Sequence, residues 1–160
     1  QGKDFFVQRG ELFGKLIKAA GREFIPAYGE GANFYSPDLL EDALKQMFCG
    51  KRPVPTGLFI MSDYIASMVY PVLYNLGIKP GREVEIVTCD NDYHRISLMR
   101  PTPTVIDICA FEIGRVAAMQ LASRLRHPNL MPLKLEVKPR LIPAKEWHNN
   151  FKQQLVEVKK

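Results

Sequence analysis

Gly57-Leu58-Phe59-Ile60-Met61-Ser62-Asp63 is the stretch whose reading decides the fold. A strand with one wet face alternates apolar and polar residues, whereas Leu58 to Met61 is apolar throughout, so both faces of this strand are covered. That is the habit of a strand inside a parallel sheet with helices on either side. Ser62-Asp63 closes the run with two capping residue types and predicts a helix from Tyr64 to Leu76, which Pro71 should kink or shorten.

Downstream the same alternation continues. Gly77-Ile78-Lys79-Pro80-Gly81 is a stop and turn, and Val84 to Cys89 is the next strand, ending at Asp90-Asn91-Asp92. Thr104 to Ile108 is a further strand, followed by a helix from about Phe111 to Leu125 with Ile113, Val116, Ala117, Leu121 and Leu125 turned inward. Leu133, Leu135 and Val137 alternate within Leu133 to Leu141, as in a strand with one buried face. Trp147, Phe151, Leu155 and Val158 then fall at helical spacing, which makes 144–160 a helical tail that either docks on the domain or extends a contact between copies.

Upstream, Ser36-Pro37-Asp38 opens a helix: Ser36 can cap, Pro37 suits the first turn, and Leu39, Leu40, Ala43, Leu44 and Met47 form its buried face. Phe24 to Tyr28 reads as a short strand before the Gly29-Glu30-Gly31 loop. Phe13, Leu16, Ile17 and Ala20 recur at helical steps ahead of the Gly21 stop. Strands alternating with helices predict an α/β fold, a doubly wound parallel sheet in three α/β/α layers.

The chain has 160 residues, of which 46% are hydrophobic and 24% charged, the make-up of one globular domain and not of a disordered segment. Charged residues interrupt every apolar stretch before it reaches membrane length. Net charge is +5, yet the 22 basic residues are scattered among acids, and the densest group, from Arg115 to Arg140, lacks the interleaved aromatics of a base-stacking platform. Cys49, Cys89 and Cys109 are too few and too far apart for a disulfide framework or a metal site, and read as buried thiols in a reducing compartment, hence a cytoplasmic protein. The opening Gln1-Gly2-Lys3-Asp4 lacks an initiator Met and a signal-peptide pattern, as expected for a piece of a longer chain.

Ligands of open parallel sheets bind beyond the carboxyl ends of the strands, where Ser62-Asp63 and Asp90-Asn91-Asp92 lie. No glycine-rich phosphate loop, nucleophile elbow or metal-spaced histidine pair accompanies these acids, so no catalytic residue, metal or cofactor is assigned. An enzyme using Asp63, Asp90 or Asp92 on phosphate or metal is the least favoured reading. His94, His127 and His148 read as surface residues.

At these strand ends the sequence resembles the effector-binding domain of the LacI/GalR repressors, which shares its fold with periplasmic sugar-binding proteins. Arg9, Phe13 and Gly21 fall at the spacing of that family's first helix, with Leu12 where it usually has Gly. Tyr35-Ser36-Pro37-Asp38 is similar to its aromatic-Thr/Ser-Pro-Glu helix start, and Gly57 to Ala66 to its strand ending in Asn-Asp, with Ser62 for the Asn. Leu76 to Asn91 follows its leucine-glycine, turn, strand and Asp-Asp order, with Asn91 for the second Asp. Arg100 to Val105 resembles its proline-then-Thr-Thr strand entry, and Gly114 stands at a family Gly.

The resemblance implies a periplasmic-binding-protein-like lobe with part of a second lobe over residues 1–143. It also implies a sensor whose sugar or related small polar effector changes DNA affinity through dimer geometry. DNA would be read by a helix-turn-helix outside this chain. It places Arg9, Asp90, Tyr35, Ser62 and Asp107 toward the effector, and Tyr64, Ser67, Met68, His94 and Leu98 at a homodimer contact. The chemistry suits a polyol: a guanidinium fork donates to adjacent hydroxyls, a carboxylate accepts from them, and an aromatic ring stacks on an apolar sugar face. On the residues alone the plainer readings are favoured: Arg9 a surface helix cap, Asp90 an N-cap or loop acid, Tyr35 a staple over its helix and Ser62 a helix cap, while Asp107 within an apolar strand needs a partner or a ligand. An exported sugar-binding protein of a transporter is the alternative function.

Overall fold

The computed structural model describes residues 5–27, 36–50 and 53–149. Helices α1 (Phe5–Ala19) and α2 (Pro37–Cys49) lead to strand β1 (Gly57–Ile60), helix α3 (Asp63–Asn75) and strand β2 (Glu85–Cys89). The short helix α4 (Tyr93–Ile96), strand β3 (Thr104–Asp107), helix α5 (Ala110–Arg126) and strand β4 (Arg140–Ile142) follow. The sheet order is β1-β2-β3-β4, with β1, β2 and β3 parallel and β4 antiparallel to β3. Ile60 stands beside Thr88, Thr88 beside Val105, and Val105 beside Ile142. A mostly parallel sheet flanked by helices is therefore the architecture.

Successive side chains of a strand point to opposite faces, and β1 uses both. Ile60 joins Ile65, Ala66, Val69, Tyr70 and Leu73 of α3, Leu40 and Leu44 of α2, and Val84 and Ile86 in one core. Phe59, on the other face, stacks on Phe13 of α1 at 4.5 Å, and Phe24 meets Phe13 edge-on at 6.1 Å. Gly14 permits this approach, since a Cβ there would stand 2.7 Å from the Phe24 ring. Gly77, at φ +76, ends the α3 segment in the left-handed region that glycine adopts without a steric cost.

Several sequence expectations change. Residues 22–26 carry no regular structure, and Tyr28 lies outside the described residues, so no strand is seen from Phe24. Of Leu133 to Leu141, only Arg140 and Leu141 join a strand; Leu133 and Leu135 face solvent, because β3 offers partners only to residues 140–142. α3 runs unbroken through Pro71, which lies on its exposed side where the Ser67 carbonyl left without a donor can be hydrated. Ser36 sits at the α2 N-cap without a side-chain cap hydrogen bond, and Leu39 is exposed. Leu16 is exposed too, so α1 turns Phe6, Phe13 and Gly14 inward.

α5 departs furthest. None of its residues is buried, and Ile113, Leu121 and Leu125, read as inward-facing, are exposed at 47%, 61% and 74%. Its sequence pattern is that of a packed helix, yet it stays unburied, and Val116 and Met119 line an open groove with Leu135 and Val137.

Candidate functional site

β1 and β2 end side by side, and the turns that follow build the site. At the end of β1, Ser62 is the N-cap of α3, its Oγ accepting from the Ile65 N–H at 3.3 Å. Asp63 is 1% exposed and accepts from Thr88 Oγ1 at 2.8 Å and from the Asp92 N–H at 2.6 Å. One carboxylate thereby ties the start of α3 to strand β2 and to the turn after it. Burial pushes the Asp63 carboxyl up to about 6, against the pull of those two hydrogen bonds, with Asp90 and Asp92 adding repulsion.

The turn after β2 is unusual in backbone. Asp90 has φ 107 and Asn91 φ 68, and non-glycine residues held at such angles cost of order 1–3 kcal/mol each. Tertiary bonds offset this. The Asp90 N–H donates to Ile106 O at 3.0 Å, and the Asp92 carboxylate caps α4 through the His94 N–H and pairs with Arg95 at 3.1 Å.

This backbone brings Asp90 to Arg9, a residue 81 positions away on α1. Arg9 Nη1 donates to Asp90 Oδ1 at 3.1 Å and to Met61 O, at the end of β1, at 2.6 Å. The side chains are 27% and 33% exposed, so the pair is half-buried and reachable from solvent. Among the described residues, none engages Asp90 Oδ2 or Arg9 Nη2. An acceptor and a donor therefore stand together at the carboxyl edge of the sheet, each with hydrogen-bonding capacity unspent.

The other candidates part ways. Asp107 is 4% exposed and already satisfied: it accepts from the Cys109 N–H at 2.7 Å and from Arg140 at 2.9 Å, so the buried acid has a protein partner and needs no ligand. Ser62 is occupied by its cap. Tyr35 lies outside the described residues. At the suggested dimer contact, Tyr64, His94 and Leu98 are exposed, while Met68 packs against the core and Ser67 donates to Tyr64 O. Arg95 stands over the Tyr64 ring at 4.6 Å, which joins α3 to α4 on this face.

Sequence reading missed the tie from Asp63 to Thr88 and Asp92, and the bond from Trp147 Nε1 to Asn91 Oδ1 at 2.7 Å. A signal existed for each: Asp63 follows a capping Ser, and Trp147 is the chain's single tryptophan. It also missed the partner of Asp107, since Arg140 lies 33 positions away on a strand that was expected to be longer.

Residues 6–144 match the family described as periplasmic binding protein-like domain. The chain belongs to that family. Among solved structures, this periplasmic-binding-protein-like domain resembles the transcriptional regulator CelR in complex with cellobiose, with a TM-score of 0.67 and 22% identity over 85% of this chain and 41% of the regulator. It resembles a LacI family transcriptional regulator from Bifidobacterium animalis subsp. lactis, with a TM-score of 0.68 and 21% identity over 85% of this chain and 48% of that one. A LacI family transcriptional regulator from Enterococcus faecalis with bound ribose gives a TM-score of 0.66 and 22% identity over 86% and 47%. The chain thus spans less than half the length of these structures. No curated protein matches it by sequence.

Proposed function

We propose that this chain is the effector-sensing lobe of a LacI/GalR-type transcriptional regulator, that it is not an enzyme, and that it takes a sugar or related polyol at Arg9 and Asp90. The observation that carries the reading is the Arg9–Asp90 pair, 3.1 Å apart at the carboxyl edge of the sheet. A diol presents both donors and acceptors. Its hydroxyls donate to Asp90 and accept from Arg9, substituting for the hydrogen bond the two side chains make with each other. Support for a sugar comes from the ribose and cellobiose named with two of the structural neighbours.

Residues 1–143 then supply one lobe plus crossover segments of a second, and α5 with residues 127–139 is the crossover part. Its exposed Phe111, Leu121 and Leu125 are the surface that a second lobe would cover. Effector binding across two lobes would change dimer geometry and, by linkage, the DNA affinity of a helix-turn-helix elsewhere in the protein. The exposed Tyr64, His94 and Leu98 are the proposed dimer face. Cys89 and Cys109, buried free thiols, favour the reducing cytoplasm over an exported transporter component. No helix among the described residues is long and apolar enough to cross a membrane.

Calorimetric titration with D-ribose and with cellobiose tests the site. Binding to the wild type that weakens about thirty- to a hundredfold in both Arg9→Ala and Asp90→Ala is the expected result, since each removes a charged hydrogen-bonding partner worth roughly 2–3 kcal/mol. Equal affinity in wild type and both variants sinks the site assignment.

A further inference from the structure

We propose that Trp147 is a positioning residue for the effector site: through Asn91 it holds the turn that presents Asp90 to Arg9. The inference rests on Asp90 being the effector contact, and Trp147 lies beyond residues 6–144, the span that matches the family.

Three anchors hold residues 90–93, each from a different element. The Asp90 N–H is bound by Ile106 O of β3, and the Asp92 N–H by the Asp63 carboxylate at the head of α3. The third comes from the segment after β4. A 3-10 turn, Ala144–Glu146, brings Trp147 back to the sheet edge, where it is 1% exposed. Its indole Nε1 donates to Asn91 Oδ1 at 2.7 Å, and its ring stacks on Tyr93 at 5.6 Å and 12°.

Asn91 is the pivot of the turn. At φ 68 it takes a left-handed conformation that asparagine tolerates but does not prefer, and it directly follows Asp90 at φ 107, which its surroundings must hold. The first two anchors fix backbone on either side of Asn91, and the Trp147 bond fixes the side chain between them. Tyr93, on the far side of Trp147, opens α4, so the indole also sets where the turn ends. Release of the indole frees Asn91 to relax toward negative φ, which swings the Asp90 carboxylate away from Arg9.

Hydrogen exchange measured by NMR on the full chain, with D-ribose titration alongside, tests the proposal. Trp147→Phe keeps a ring for Tyr93 and loses the donor, and Asn91→Gly keeps the positive φ and loses the acceptor. Both are expected to speed exchange of the Asp90 and Asp92 amides about tenfold, leave the Ile60 and Thr88 amides unchanged, and weaken ribose binding by a similar factor. Asn91→Asp restores an acceptor and should behave as wild type, a rescue that a loss of general stability does not produce. Unchanged Asp90 and Asp92 exchange in Trp147→Phe and Asn91→Gly overturns the latch. Faster exchange with ribose affinity unchanged, while Asp90→Ala abolishes binding, overturns the positioning role and leaves the site intact. Asp90→Ala binding ribose as wild type instead overturns the site reading, and the exchange rates then judge the latch separately.

Discussion

Asp63 carries the clearest single-residue consequence. Its folded-state pKa, raised from 3.8 to about 6, means the folded protein binds more protons than the unfolded chain between those values. Stability from this group is therefore full below about pH 4 and is lost as pH rises through 6, a change of roughly 3 kcal/mol. Thermal midpoints of wild type and Asp63→Asn from pH 4 to 8 check the sign: the wild type should lose ground relative to Asp63→Asn as pH rises, and a constant difference refutes the shift. Cysteine reactivity separates by place. Burial pushes the Cys89 thiol up to about 11, and Cys109 is also buried, whereas Cys49 at the end of α2 is exposed, contrary to the expectation of three buried thiols. Iodoacetamide at pH 8 should label Cys49 rapidly and leave Cys89 and Cys109 unmodified in the native protein; mass spectrometry of the digested protein reads the outcome.

Helices α3 and α5 show what an apolar pattern means when neighbours differ. Both carry apolar residues at helical spacing, yet Leu73 of α3 is fully buried and Leu121 of α5 is 61% exposed. Leu73→Ala should cost about 2–5 kcal/mol of unfolding free energy by loss of buried surface and cavity formation. Leu121→Ala should stay within roughly 0.5 kcal/mol. Urea denaturation of the two variants distinguishes them, and a large cost at Leu121 would mean that α5 is packed in solution. At the sheet edge, β1 was legible as an unbroken apolar run closed by Ser62-Asp63, and β2 as a β-branched stretch, Val84 to Cys89, set between the Gly77–Gly81 turn and Asp90-Asn91. The strands expected from Phe24 and Leu133 were not, because a short apolar run or an alternation says that a segment wants burial without naming the partner that supplies it.

On the scale of the whole molecule, a buried core under α2 and α3 coexists with a bare apolar surface along α5 and residues 127–139. Phe111, Leu125, Met131 and Leu133 are each more than two-thirds exposed, a concentration that soluble monomers seldom leave uncovered. The isolated chain should therefore bind the dye ANS in the native state and sediment with a concentration-dependent weight. A Leu125→Glu/Phe111→Glu double variant should lower both signals without lowering the thermal midpoint. Dye binding equal to wild type in that variant would place the apolar surface elsewhere.

The sequence by itself determined the alternation of helices and strands and the strand ends where ligands gather, because apolar periodicity and turn chemistry are local properties of the chain; Arg9 and Asp90 came from the family resemblance and not from any local pattern. Only the tertiary structure decided that Arg9 and Asp90 meet, that Arg140 satisfies Asp107, and that Asn91 and Trp147 join behind the site. Those are contacts across 81, 33 and 56 positions, and no local pattern encodes which buried donor a distant acceptor will find.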